Sequence, residues 1–212
     1  YARRDRDLGR LTDDGEQFVF RATREILDDL KKLPPDSSSA PSDPEKIALD
    51  GNDLAATLAK VRVLACPARD EADELALDMF RHLLEPTRYA VEIMSDSVLA
   101  SEVVDLIGDC RPVMILIVTV SPGGLGQTRY LCKRLRARFP KLKIAVGRWG
   151  MGSEDGESIL RAGADRVGTT MIETREQMIQ LCQTGTLWDA PSGTSVSAEP
   201  ATKETIRPED AA

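Results

Sequence analysis

The chain has 212 residues, of which 42% are hydrophobic and 30% charged, and its net charge is −7. These proportions suit one globular domain with appendages, and the acidic balance argues against whole-surface attraction to nucleic acid. The longest apolar run, Val113 to Val120 (VMILIVTV), is far short of the ~20 residues that span a bilayer, so no segment of this sequence is expected to cross a membrane.

The opening YARRDRDLGR carries charge without an apolar core, which predicts no signal peptide, and it lacks Met, as a piece of a longer protein would. Residues 1–33 read as helical. Gly9 closes one short helix, and Asp13 with Glu16 three residues on has the spacing of a capping box for the next. Phe18, Val19, Ala22, Ile26, Leu27, Leu30 and Leu33 then recur at helical spacing. One helix cannot bury such a stripe alone, so it is expected to dock on the main domain or on a partner helix.

Residues 34–60 open with PPDSSSAPSDP, too poor in apolar groups to pack, and read as a flexible linker with a short helix near its end. Residues 61–188 carry the fold, and 189–212 read as a disordered tail. Cys66, Cys110, Cys132 and Cys182 are too scattered for a metal pattern and are expected to be reduced thiols of a cytoplasmic protein. His82, the single histidine, sits in a helical pattern and reads as solvated or at the core edge.

Between 61 and 188, β-rich runs alternate with helical patterns. Strands are expected at Val61–Cys66, Tyr89–Met94, Val113–Val120, Leu142–Val146 and Arg166–Thr169, with helices at Glu71–Leu84, Val98–Asp109, Leu125–Phe139, Glu154–Ala162 and Glu173–Gln183. Five consecutive βα units imply an α/β three-layer sandwich with a five-stranded parallel sheet. The third strand, apolar on both sides, belongs at its centre. For a domain of this size the expected arrangement is flavodoxin-like, order 2-1-3-4-5, with ligands taken at the carboxyl ends of the strands.

That edge comprises Arg69 and Asp70 after strand 1, Ser121, Gly123 and Gly124 after strand 3, and Arg148 and Trp149 after strand 4. Thr119-Val120-Ser121 lacks the aspartate that a phosphoryl-accepting receiver needs, PARDEAD would repel the phosphate of a flavin nucleotide, and GGLG lacks dinucleotide spacing. Asp70, Glu71, Asp73 and Glu74 crowd a first helical turn, where carboxylates favour the positive end of the helix dipole. Ser121 to Gly124 could offer free N–H groups to a small anion, or could simply be a tight turn. Arg129, Lys133, Arg134, Arg136 and Arg138 either form a solvated helix face or meet lipid headgroups. Arg148 with Trp149 could hold a ligand by cation–π contact. None of these sets pairs a nucleophile with a base, so no catalytic residue, metal site or cofactor is assigned.

The segment VLACPARDEADELAL resembles the first turn of cobalamin-binding domains of the methionine synthase and methylmalonyl-mutase type, whose motif is D-x-H-x-x-G. Asp70 matches, but Ala72 stands in the histidine slot and Leu75 in the glycine slot, and an alanine offers cobalt no lone pair. The glycine pair expected after strand 4 is Gly147-Arg148. This resemblance therefore implies the cobalamin-domain fold with a degenerate motif.

A longer resemblance joins YARRDRDLGRLTDDGEQFVF, the Pro/Ser linker, CPARDEADELA, TRYLCKRLRARFP and KIAVGRWG. Together these are similar to the cytoplasmic C-terminal extension of bacterial permeases of the autoinducer-two exporter family. That implies a soluble regulatory or ligand-sensing domain on the cytoplasmic side of the inner membrane, whose partner is the membrane part of its own polypeptide. A cobalamin carrier without a histidine ligand, a small hydrolase or transferase using Ser121 with Asp70, an oligomeric form and a ligand-free scaffold all stay open.

Overall fold

The computed structural model describes residues 2–32, 60–120, 122–150 and 155–183. The expected linker (except Lys60), the expected tail and Ser121 lie outside the described residues. Two helices come first, α1 (Ala2–Asp7) and α2 (Asp13–Lys32), followed by β1 (Val61–Pro67), α3 (Glu71–Arg81), β2 (Tyr89–Ile93), α4 (Ala100–Cys110), β3 (Met114–Val120), α5 (Leu125–Arg138), β4 (Lys143–Trp149), α6 (Gly156–Arg161), β5 (Arg166–Gly168) and α7 (Met171–Gln183).

All strand pairs are parallel and the order is β2-β1-β3-β4-β5, the flavodoxin-like arrangement that the βα alternation predicts. Met114 to Val118 of β3 have no exposed surface, as a continuous apolar run requires when both sheet faces are covered. One face packs Val63, Leu116 and Val118 against Phe80 of α3 and Met178 of α7. The other packs Leu64, Ile117 and Val146 against Ile107 of α4, Leu135 of α5 and Ile159 of α6.

Several boundaries differ from the sequence expectation. Strand β4 runs three residues beyond Val146, because Gly147, Arg148 and Trp149 stay in register with Val118, Thr119 and Val120. Helix α3 stops at Arg81, where His82 is an exposed C-cap whose N–H is donated to Met79 O at 3.2 Å. The cap of α2 is Thr12 rather than Asp13: its hydroxyl accepts from Gly15 N at 3.1 Å. Gly9 does close α1, with φ +68° and its N–H donated to Arg6 O at 2.8 Å.

Glu16 is buried and accepts a 2.6 Å bond from Arg6. Helix α2 docks on α3 through Phe20, Leu27 and Leu75. Of the predicted stripe only Leu27 is buried; Phe18, Val19, Ile26 and Leu30 remain exposed, and Leu33 lies outside the described residues. The four cysteines are free thiols, and burial pushes the Cys66 and Cys132 thiols up to about 12. Among the described residues no helix is long and apolar enough to cross a membrane.

Candidate functional site

The carboxyl edge of the sheet is a network of turns tied together by two arginines. After β1, Asp70 has extended backbone and caps α3, its Oδ1 accepting from Ala72 N at 3.1 Å. Its other oxygen accepts from Arg69 Nε at 2.6 Å and also from Arg3 Nη1 of α1. Burial alone would raise the Asp70 pKa, but these two guanidinium bonds hold it below the ordinary aspartate value. Arg69 continues across the edge and donates to Pro122 O at 3.2 Å.

The remaining acidic residues of that turn have separate tasks, which dipole preference alone does not predict. Glu71 pairs with Arg24 of α2, and Glu74 accepts from Asp96 N in the second turn at 3.1 Å. Asp73 is 1% exposed and accepts from Val120 N, the last residue of β3, at 2.6 Å. Its Oδ2 is buried without a hydrogen-bond partner among the described residues. Burial is the largest influence on this carboxyl and pushes its pKa up to about 6, outweighing the Val120 bond.

In the third turn Gly123 and Gly124 have φ of +96° and +75°. Conformation requires glycine at both positions, and at Gly124 space does too. A Cβ on Gly123 would lie 2.1 Å from the Arg69 guanidinium, and one on Gly124 would lie 2.0 Å from the Thr119 hydroxyl. Gly124 O accepts from both the N–H and the hydroxyl of Thr128, at 2.9 and 2.8 Å, so this turn is a braced entry to α5. The site residue that would complete it, Ser121, lies outside the described residues.

Arg148 and Trp149, expected on an edge loop, are instead the last residues of β4, exposed by 6% and 5%. They project to opposite faces, as strand neighbours must, and form no cation–π pair. Arg148 donates to Gly123 O at 2.8 Å and pairs with Asp155 at 2.8 Å. The Trp149 indole packs on Phe80 with ring centroids 5.3 Å apart, and its N–H is donated to the Thr174 hydroxyl at 2.9 Å. It also lies over Gly147, where a Cβ would come within 2.7 Å of the ring. Arg136 likewise leaves the proposed cationic face, binding Gly163 O at 2.8 Å, Leu142 O at 2.8 Å and Asp165 at 2.9 Å.

The edge therefore satisfies its own guanidinium groups internally. A cleft of about 130 Å³ beside the first turn is walled mainly by Cys66, Pro67, Ala68, Val98, Val103 and Leu131. That is below the ~300–1,000 Å³ of ordinary small-molecule sites. A wider cleft, about 590 Å³, lies between α2, α3 and β2 and is lined by Leu30, Lys31, Arg81, His82, Leu84 and Tyr89. Sequence reasoning missed it, because its walls come from segments with no local motif. Among the described residues no group of three His, Cys, Asp or Glu side chains could hold a metal ion.

No protein-family model matches this chain, and no curated protein matches it significantly. It is similar to a solved cobalamin-binding protein from Desulfitobacterium hafniense, with 16% identity, a TM-score of 0.50, and coverage of 84% of this chain and 75% of that one. A LuxR-family two-component response regulator from Aurantimonas matches at 18% identity and TM-score 0.44, covering 59% of this chain and 86% of that one. The signal receiver domain of a modulated diguanylate cyclase from Desulfovibrio desulfuricans matches at 20% identity and TM-score 0.42, covering 59% and 95%.

At these identities the likeness concerns the fold, and the fold is the flavodoxin-like α/β sandwich. The residues present do not fit a histidine-ligated corrinoid. Ala72 has only a methyl group where a metal ligand would stand, and the Trp149 indole fills the space over Gly147.

Proposed function

We propose that this chain is a non-catalytic regulatory module, of the kind attached to permeases that its sequence resembles, in which the state of the carboxyl-edge turns is transmitted to the N-terminal helices. The observation that carries this reading is the shared carboxylate of Asp70. Through Arg69 it is tied to the third turn at Pro122, and through Arg3 to α1. Any ligand or partner that displaces Arg69 from the third turn changes the charge balance on Asp70, and hence the hold on α1. Arg24–Glu71, Lys31–Asp78 and the Phe20–Leu27–Leu75 contact extend the same coupling along α2.

Regulation of this type needs a ligand with different affinity for the two arrangements. A small anion competing for Arg69 would have that property, since it binds the guanidinium only when Asp70 and Pro122 release it.

Hydrogen exchange on the full chain tests the coupling. Asp70→Ala should accelerate exchange in α1 and at Gly123 and Gly124 together, while the α6–α7 region keeps its protection. Acceleration confined to the start of α3 would overturn the reading. The reading frame upstream of Tyr1 tests the permease attachment: seven or eight hydrophobic stretches there support it, and a start codon close to Tyr1 removes it.

A further inference from the structure

Helix α2 has two apolar faces, and the sandwich uses one of them. Phe20 and Leu27 are buried against Leu75, whereas Phe18 is 67% exposed, Ile26 61% and Leu30 46%. Phe18, Ala22, Ile26 and Leu30 recur every fourth residue, roughly 120° around the helix from Phe20 and Leu27. A row of side chains at four-residue spacing forms a ridge on the helix surface.

We infer that this ridge pairs antiparallel with α2 of a second copy of the chain, about a two-fold axis near Thr23. The charges beside the ridge select that occupant and that direction. Arg21 and Glu25 lie two residues on either side of Thr23, and Asp14 and Lys32 lie nine residues on either side. All four fall on the same flank of the ridge. A two-fold axis at Thr23 sets Arg21 of one copy beside Glu25 of the other and Asp14 beside Lys32, so these four charges meet their opposites, while Asp28 and Asp29 are held by Lys31 and Lys32 of their own helix at 2.9 Å. In-register parallel pairing would carry the charged flanks of the two copies to opposite sides of the seam, so neither pair would form.

The side chains of Asp14, Arg21 and Glu25 make no ion pair or hydrogen bond among the described residues, so the Arg21–Glu25 complementarity is free for a partner, whereas Lys32 would share its charge between Asp29 of its own helix and Asp14 of the other copy. The apolar groups obey the same symmetry. Phe18 of one copy reaches the level between Ile26 and Leu30 of the other, and the small Ala22 side chain lets the two backbones approach near the axis.

Helix α2 spans roughly 30 Å at 1.5 Å per residue. A two-helix seam of that length buries on the order of 1,000 Å² in total, the low end for specific interfaces. The dimer is therefore concentration-dependent, with the charges setting direction and partner choice more than affinity.

Sedimentation equilibrium on the full chain, from low micromolar to several hundred micromolar, reads this directly. The mass should rise from 23.2 kDa toward twice that value. Arg21→Glu or Glu25→Arg alone should raise the dimer dissociation constant about tenfold or more, because each places like charges beside one another twice per dimer. The double reversal, Arg21→Glu with Glu25→Arg, should restore it to within about threefold of the original. Phe18→Ser with Ile26→Ser should abolish dimerisation while circular dichroism reports unchanged helix content, since both side chains are exposed in the monomer.

A chain that stays monomeric throughout the range overturns the inference and leaves the ridge to another segment or protein. Single and double reversals that weaken the dimer equally overturn the antiparallel pairing.

Discussion

Two arginines at the carboxyl edge do the same local task in different surroundings. Arg69, after β1, donates to Pro122 O, and Arg148, at the end of β4, donates to the adjacent carbonyl of Gly123. The Arg148 side chain is 7% exposed, and its acid, Asp155, belongs to the turn that enters α6, so that clamp is internal to the sandwich. The Arg69 side chain is 29% exposed, and its acid, Asp70, is shared with α1. A guanidinium sealed in the fold acts as a brace. One that keeps solvent contact and a shared counter-charge can be exchanged, which is why the first turn is the better place for regulation.

The largest expected effect is on the sealed side. Trp149→Ala removes the Phe80 contact and the indole N–H that donates to the Thr174 hydroxyl, which keeps its own bond to Thr170 O, and should cost about 3–5 kcal/mol in urea unfolding, chiefly through the cavity left behind. Arg148→Ala should follow at about 2–3 kcal/mol, because it leaves Asp155 and the Gly123 carbonyl without their charged donor. If instead Arg69→Ala proved the more destabilising of the two arginine variants, the contrast between brace and exchangeable clamp would be lost.

Asp73 lies between the two regions and sharpens the comparison through pH. Its folded pKa, about 6, lies above the ordinary aspartate value of 3.8, so the native state holds this proton more tightly than the unfolded chain does. This group's contribution is therefore fully favourable below pH 4 and falls as pH rises to about 6, by on the order of 2–3 kcal/mol. Asp73→Asn should abolish that part of the pH dependence in unfolding curves taken between pH 4 and 7. A profile identical to that of the unsubstituted chain would show that Asp73 is not the group responsible.

The smallest effect belongs to the peripheral pairs. Arg24→Ala, which breaks a half-exposed ion pair with Glu71, should change global stability by about 0.2–1 kcal/mol, yet should measurably raise hydrogen exchange along α2. A large global loss there would mean that the N-terminal helices and the sandwich unfold as one unit.

Much of the site was only half legible in the sequence. The turns were correctly placed at the carboxyl edge, because a parallel sheet with the order 2-1-3-4-5 puts them there. The partners were not readable. Arg3 reaches Asp70 across 67 positions, and Asp73 caps the end of β3 from 47 positions away. Arg148 and Trp149 look alike on paper as edge residues, yet strand alternation sends one toward Asp155 and the other into the core.

The stripe on α2 misled for a related reason. Periodicity reveals how many apolar positions a helix has, and here it merged two faces, one of which the sandwich covers through Phe20 and Leu27.

What the sequence determined by itself was the alternation of strand and helix and the central place of the apolar third strand, because hydrophobic period and turn chemistry are local properties of the chain. Tertiary structure alone decided which of the edge charges became internal braces, which carboxylate was left half-satisfied, and which face of α2 stayed open. Those outcomes depend on distances between residues remote in sequence, and burial, not residue type, sets the strength of each charge interaction.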